Sequence, residues 1–318
     1  MPVSQSATAP LVIHAPVRRF QQCDDAMQAM TDYQAELCRS AARRRNSGLS
    51  FTDQDQPEEV FCLFPTRPDR PPLAIIGGMG PRAGAMAFSR ACARFQDSRA
   101  VVLYQACSVP DRSTVILSEG CVDTASCREV GSKLAGAIRL ALEIVPLTSE
   151  ATRCIIACNS AHYFWRMMAD DLQRTAPRFC ELRMISLVES SIEALRFHSC
   201  GRALLLATEG ARAGQVFSAP CRDAGIAFDE PSPTLSRLLM SAIFEGMKSL
   251  DERRAVELGN EFFETVLRSG RDYDCVLAGC TELPPTIDLL RLRGSPAVAA
   301  FLARVTIVDP MEEALCHA

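Results

Sequence analysis

Cys158 ends an apolar run, "CIIACNSAH" at 154–162, and Cys280 ends another, "CVLAGCTELPP" at 275–285. In both, Val, Ile, Leu and Ala read as a buried strand. The residues that follow, Asn159-Ser160 and Thr281-Glu282, favour turns and helix starts. A thiolate at such a junction is a nucleophile and also a base, and a helix N-terminus lowers its pKa. Two thiols on opposite sides of a bound carbon can take a proton from one face and return one to the other. That is general acid–base catalysis with the partners in opposite protonation states. It inverts a stereocentre and needs no cofactor.

Two further motifs suit a small anionic ligand. "GGMGP" at 77–81 is a Gly-rich turn after a strand, with Pro81 placed for the first helical position, and its backbone N–H groups can face a carboxylate. "SVPDRS" at 108–113 follows another strand and carries Arg112, whose planar fork matches a carboxylate.

The elements that must position these residues begin at Leu73. Candidate strands start at 73, 100, 154, 183, 202, 274 and 305, with amphipathic stretches such as 131–142, 161–172 and 251–267 between them. This alternation predicts an α/β fold with parallel sheets covered on both faces. There is also an internal echo. The cysteines of "IIACNSAH" and "VLAGCTEL" lie 122 residues apart, "MISLV" follows the first much as "TIVD" follows the second, and "LAIIGGMG" precedes the first as "ALLLATEG" precedes the second. Two pseudo-symmetric α/β domains, each with a thiol at a strand's carboxyl end, would meet across a cleft holding both thiols.

The expected domains are an extension over residues 1–70, a first lobe over 71–182 completed by 292–318, and a second lobe over 183–291. In the extension, "MPVSQSATAPLVIHA" reads as a flexible tail and 17–45 as a helix, with Phe20, Cys23, Met27, Met30 and Leu37 on one face and Arg43–Arg45 at its end. "TDQDQPEE" and "PTRPDRPP" read as linker. The extension serves either to pack on the body or a twin subunit, or as an address for export.

The composition narrows the function. In 318 residues the net charge is −4 with pI near 5.7, and no basic tract appears, so nucleic acid is not an expected partner. No apolar run approaches the roughly 20 residues of a membrane span, and no signal-peptide pattern opens the chain. Fifteen cysteines without any C-x-x-C, and four scattered histidines, predict a reducing, cytoplasmic setting with most thiols as core residues and no metal site. Gly78, Gly80 and Gly84 loosely resemble a dinucleotide turn, but the next strand ends in Gln105 where an acidic residue is required.

Taken in order, "IIGGMGP", "VPDRS", "ACNSAH", "LLLATEG", "AGCTELP" and "IVDP" resemble the aspartate/glutamate racemase family, closest to its aspartate branch, from Leu73 to the end. The resemblance implies PLP-independent racemisation of an amino acid, no cofactor, and a homodimer with each site between two domains. It implies Cys158 and Cys280 as catalytic thiols and Arg112 as the carboxylate anchor. Met79 and Gly80 would line the pocket, and Asn159, Ser160 and Thr281 would hold the head group. His162 and Glu282 are candidate assistants to the thiols. The family has Asn-Pro shortly before its Pro-Asp-Arg, where this chain has Ala106-Cys107. It also has Gly-Thr with a lysine two residues on where this chain reads Gly210-Ala211-Arg212-Ala213, so Arg212 is the candidate replacement cation. These departures bear on the substrate. Two other readings are a hydantoin racemase or maleate-type isomerase using the same thiols, and a non-catalytic binding or secreted module on this fold.

Overall fold

β3 (Leu73–Gly77) and β4 (Val101–Gln105) are buried along their whole length, and alternate side chains go to opposite faces. Leu73, Ile75, Val101 and Leu103 enter one apolar cluster, whereas Ala74, Ile76, Val102 and Tyr104 enter another. That two-residue period, apolar on both faces, is what a sheet covered by helices on each side requires. The computed structural model describes residues 15–49, 52–119, 124–176 and 181–318; the expected N-terminal tail lies almost wholly outside them.

The strands form a six-stranded and a four-stranded sheet. The first runs β1 (Val17–Phe20), β2 (Glu59–Leu63), β4, β3, β5 (Thr152–Ile156) and β6 (Leu182–Ile185). The second runs β10 (Thr306–Val308), β9 (Cys275–Gly279), β7 (Ala203–Ala207) and β8 (Phe228–Asp229), all parallel. The order β4-β3-β5-β6 in one sheet matches β8-β7-β9-β10 in the other, so the echo in the sequence is an echo in topology.

Each sheet sends its last helix to the other. α6 (Leu187–Phe197) follows β6 of the first sheet, yet Val188, Ile192, Ala194 and Leu195 pack with Leu205 and Leu277 of the second. α13 (Pro310–Cys316) follows β10 of the second sheet, yet Met311, Ala314 and Leu315 pack with Leu73 and Ile75 of the first. Both start at a capping side chain: Ser186 Oγ accepts from Glu189 N at 3.2 Å, and Asp309 Oδ1 from Met311 N at 3.0 Å. The two helices touch, and α13 is tied to α2 (Pro81–Phe95) by Arg90–Asp309 and Arg94–Glu312, both 2.6 Å.

Two expectations need correction. The 292–318 segment does not return to the first lobe as a unit. Its strand β10 extends the four-stranded sheet at β9, and only α13 crosses. The extension does pack on the body, but it is more than a helix between linkers. β2 pairs antiparallel with β4, and β1 pairs parallel with β2, so the extension supplies two strands of the first sheet. The helix expected over 17–45 therefore starts later, as α1 (Cys23–Asn46), because Val17–Phe20 is taken by β1. α1 lies against α2, with Ala26, Met30 and Leu37 in the same cluster as Phe88 and Ala91.

The crossing helix makes a testable claim. Leu315 is 1% exposed, so Leu315→Ala should cost about 2–5 kcal/mol in urea unfolding, as a large-to-small core change does. Arg94→Ala, at a solvent-exposed ion pair, should cost less than about 1 kcal/mol.

Candidate active site

Both thiols stand just beyond equivalent strands. Cys158 follows β5 and is the N-cap of a 3₁₀ helix over Asn159–Phe164. Cys280 follows β9, just before α11 (Leu283–Arg293), whose N-cap is Glu282. Their exposures are 7% and 6%, and both line one enclosed cavity between the sheets. Met79, Arg112, Asn159 and Ser160 also line it from the first sheet, and Thr281 and Glu282 from the second. At about 20 Å³ the cavity has room for one water, less than an amino acid needs.

The "GGMGP" turn is built for close approach. Gly78 (φ +86°) lies so near the backbone of Ala106 that a Cβ would sit 2.4 Å from Ala106 N. At Gly80 (φ +138°) a Cβ would sit 2.5 Å from Glu282 Oε1, so the missing side chain leaves room for a carboxylate from the opposite lobe. Arg112 is 3% exposed, and its Nη2 donates to Met79 O at 2.8 Å and its Nη1 to Pro110 O at 3.1 Å. It holds the turn and its own loop in place at the cavity wall.

The acid–base environment differs from the one expected for the second thiol. The Cys280 thiol is pushed well above its ordinary pKa by burial, then by the charge of Glu282 and by its own hydrogen bond to Glu282 Oε2 at 3.0 Å. The backbone N–H at the helix start does favour the thiolate, but it is outweighed. Cys280 is therefore a neutral donor with a carboxylate poised beside it. Thr281 Oγ1 donates to the same Oε2 at 3.0 Å.

His162 is neutral, because burial lowers its pKa to about 4. Its Nε2 accepts from Leu187 N at 3.1 Å, so Nδ1 carries the proton and donates to Cys158 O at 3.1 Å. The ring therefore joins the Cys158 loop to the first residue of crossing helix α6, and it touches the cysteine's carbonyl, not its sulfur. Asn159 is 3% exposed, and its Oδ1 and Nδ2 are both buried with no hydrogen-bond partner among the described residues. A buried amide without partners is costly unless a ligand completes it.

The cation expected from Arg212 comes from elsewhere. Arg212 is half-buried in α7 (Glu209–Ala213) but lies outside the cavity, where its charge bears on Glu230. Lys248 lines the cavity instead, at the end of a π-helical turn over Ala242–Lys248, with its Nζ 4.8 Å above the Phe244 ring. Asp111 also lines the cavity. Burial alone would raise its carboxyl, but Arg112, the Thr114 N–H and Lys248 together hold it below the usual range. Lys248 could have been noticed in the sequence, since lysine occurs only at 133 and 248 against 32 arginines. Ser113 and Thr208 were missed as well. Thr208 Oγ1 accepts from Ser113 Oγ at 3.2 Å and lies 3.1 Å from Ser160 Oγ, so three hydroxyls meet where the lobes touch.

Among the described residues, one group of side chains is spaced to hold a metal ion: Cys200, Asp274 and Cys275, at the opposite end of β9 from Cys280. Asp274 there already accepts from Gly201 N at 2.7 Å and Arg202 N at 2.9 Å. No helix among the described residues is long and apolar enough to cross a membrane.

Two pH effects follow. Glu282→Gln removes the charge that raises Cys280, so the pH profile of Cys280 alkylation by iodoacetamide should move to lower pH. An unmoved profile would remove Glu282 from control of that thiol. His162 binds its proton less readily folded than unfolded, so stability should be full above about pH 6.5 and decline as pH falls toward 4. Urea unfolding across that window should show a loss approaching roughly 3 kcal/mol from this group.

Comparison with known proteins bears on the family and the fold. The model of the Asp/Glu/hydantoin racemase family matches residues 76–318. An aspartate racemase from Picrophilus torridus has the same fold, with TM-score 0.56, 19% identity, and coverage of 78% of this chain and 92% of that one. A Yersinia pestis protein provisionally described as an Asp/Glu racemase gives TM-score 0.53, 15% identity, and coverage of 78% and 97%. With three quarters of its length matched by the family model, the chain belongs to the Asp/Glu/hydantoin racemase family.

Proposed function

We propose that this chain is a cofactor-independent amino-acid racemase that interconverts the enantiomers of an acidic amino acid, aspartate before glutamate, by proton transfer between two thiols. The observation that carries this reading is the placement of Cys158 and Cys280, on topologically matched strand ends, in one buried cavity with two cations. The similarity to a protein described as an aspartate racemase supports the order of substrates.

In this reading Arg112 and Lys248 take the substrate carboxylates. The same cations stabilise the negative charge that develops as the α-proton leaves, in a site that closure keeps dry. The Asn159 amide completes its hydrogen bonds on the head group. The Cys158 thiolate removes the α-proton from one face while the neutral Cys280 thiol gives its proton to the other. Afterwards Cys158 holds the proton and Cys280 is the thiolate, so the reverse reaction starts from the state the forward one leaves. Before a second turnover in the same direction Cys158 releases its proton to solvent and Cys280 takes one up from solvent, relayed by Glu282, to which it is hydrogen-bonded. The reaction needs both sulfurs reduced, which fits a cytoplasmic enzyme whose described cysteines are all free thiols. We place it in a homodimer, with each subunit carrying a complete site.

In heavy water, wild-type protein should exchange the α-proton of L-aspartate, followed by NMR, and form the D-isomer in a chiral assay. Cys158→Ala and Cys280→Ala should each lower racemisation by at least about 10³-fold, the scale of losing a positioned acid or base. No exchange with aspartate or glutamate, together with turnover of a hydantoin, would replace the substrate but keep the thiols. Silence across the whole panel would overturn the enzymatic reading.

A further inference from the structure

The family match begins at residue 76, so α1 lies outside it, yet α1 lines a cavity beside the site. A second small cavity adjoins the one that holds the thiols and shares Lys248, Thr281 and Glu282 with it. Its remaining wall includes Gly80 and Pro81 of the Gly-rich turn, Met247, and Leu37 of α1, which is 4% exposed.

The turn that carries Lys248 is fastened to the same helix. Arg45 Nη1 donates to Ser249 O. Leu250, a non-glycine residue at φ +56°, packs on the cluster containing Ala26, Met30, Tyr33 and Leu37. A left-handed leucine is held there by its surroundings, not by its own preference. On the facing wall Tyr33 Oη accepts from Gln105 Nε2 at 3.4 Å, and the same Nε2 donates to Pro81 O at 2.8 Å.

We propose that α1 is a working part of the site: it closes the mouth beside Glu282 and positions the Lys248 turn against the "GGMGP" turn, with Leu37 and Arg45 as the positioning residues. The kinetic half of this proposal rests on the racemase reading; the closure half does not. Lys248 ends a π-helical turn that packs against the following helix, Glu252–Arg268. The extension adds a second support just after it, at Ser249 and Leu250. An address segment would need neither the Leu37 wall nor the bond to Ser249 O.

The test uses the full-length chain, with Leu37→Ala, Leu37→Met, Arg45→Ala and Arg45→Lys. Iodoacetamide labelling, mapped by mass spectrometry, reads closure without any turnover, and exposed Cys316 serves as internal reference. Leu37→Ala should raise labelling of Cys280 and Cys158 at least about tenfold, because local opening replaces a packed wall, while Leu37→Met stays near wild type. Arg45→Ala should raise the KM for the acidic amino acid about tenfold with kcat nearly unchanged, the signature of lost uniform binding when a charged hydrogen bond no longer fixes Lys248. Arg45→Lys should restore the lower KM. Wild-type labelling in Leu37→Ala and wild-type KM in Arg45→Ala would overturn the proposal. If Leu37→Ala fails to fold by circular dichroism, labelling of Arg45→Ala, at an exposed position, decides closure in its place. If the wild type turns over no amino acid, the racemase reading fails while the labelling arm still decides closure.

Discussion

The reciprocal packing of α6 and α13 is the constraint on which the cleft depends. A site split between two lobes works only if the lobes keep a defined relation, and polar contacts across a wet cleft are too weak to fix one. Here each lobe buries the last helix of the other in its own apolar cluster. The hydrophobic energy that stabilises either lobe therefore also fixes their arrangement. His162 extends that link to the chemistry, since it bonds at once to the start of α6 and to the carbonyl of Cys158. The Cys158 loop thus takes its position from a helix buried in the opposite lobe.

Inside the cavity the charges are arranged to tolerate an empty site. Arg112 spends hydrogen bonds on two main-chain carbonyls, and Asp111 sits in the field of both Arg112 and Lys248. Buried cations without partners would be costly, and these contacts offset that cost. The two thiols are not equivalent. Cys280 has a carboxylate two residues away holding it neutral, and no such acid hydrogen-bonds to Cys158 among the described residues. Asymmetry of this kind is what a pair of acid–base partners needs when one must give a proton as the other takes it.

The sequence made the strand ends readable because a strand buried on both faces is a short, almost wholly apolar run, and the thiols stand where those runs stop. It did not show β2, since "EVFCL" lies between proline-rich, charged stretches that read as linker, and one short run has no periodicity to stand out. The echo between "MISLV" and "TIVD" already contained the place of β10: if β6 belongs to the first unit, its counterpart belongs to the second. Arg212 was chosen over Lys248 by position in a motif, whereas a short helix turns that arginine away and a π-turn, invisible to helical periodicity, brings the lysine in. The sign of the Cys280 shift escaped for a related reason. A helix start is legible in residue types, but that the Glu282 carboxylate turns back to accept from Cys280 and Thr281, in the space left by Gly80, is a matter of three-dimensional packing.

The two strands of the extension matter beyond the site. Without them β4, five buried residues long, would present an open row of backbone donors and acceptors at the sheet's margin. Bare strand edges of that kind recruit strands from other chains. β2 occupies this one from within, and the margin is handed to β1, four residues long, whose Arg18 lies 2.9 Å from Glu59 and over the Phe61 ring. A short margin lined with arginine is a poor template for further strands, so the extension that lines a cavity beside the thiols at one end also guards the sheet against aggregation at the other.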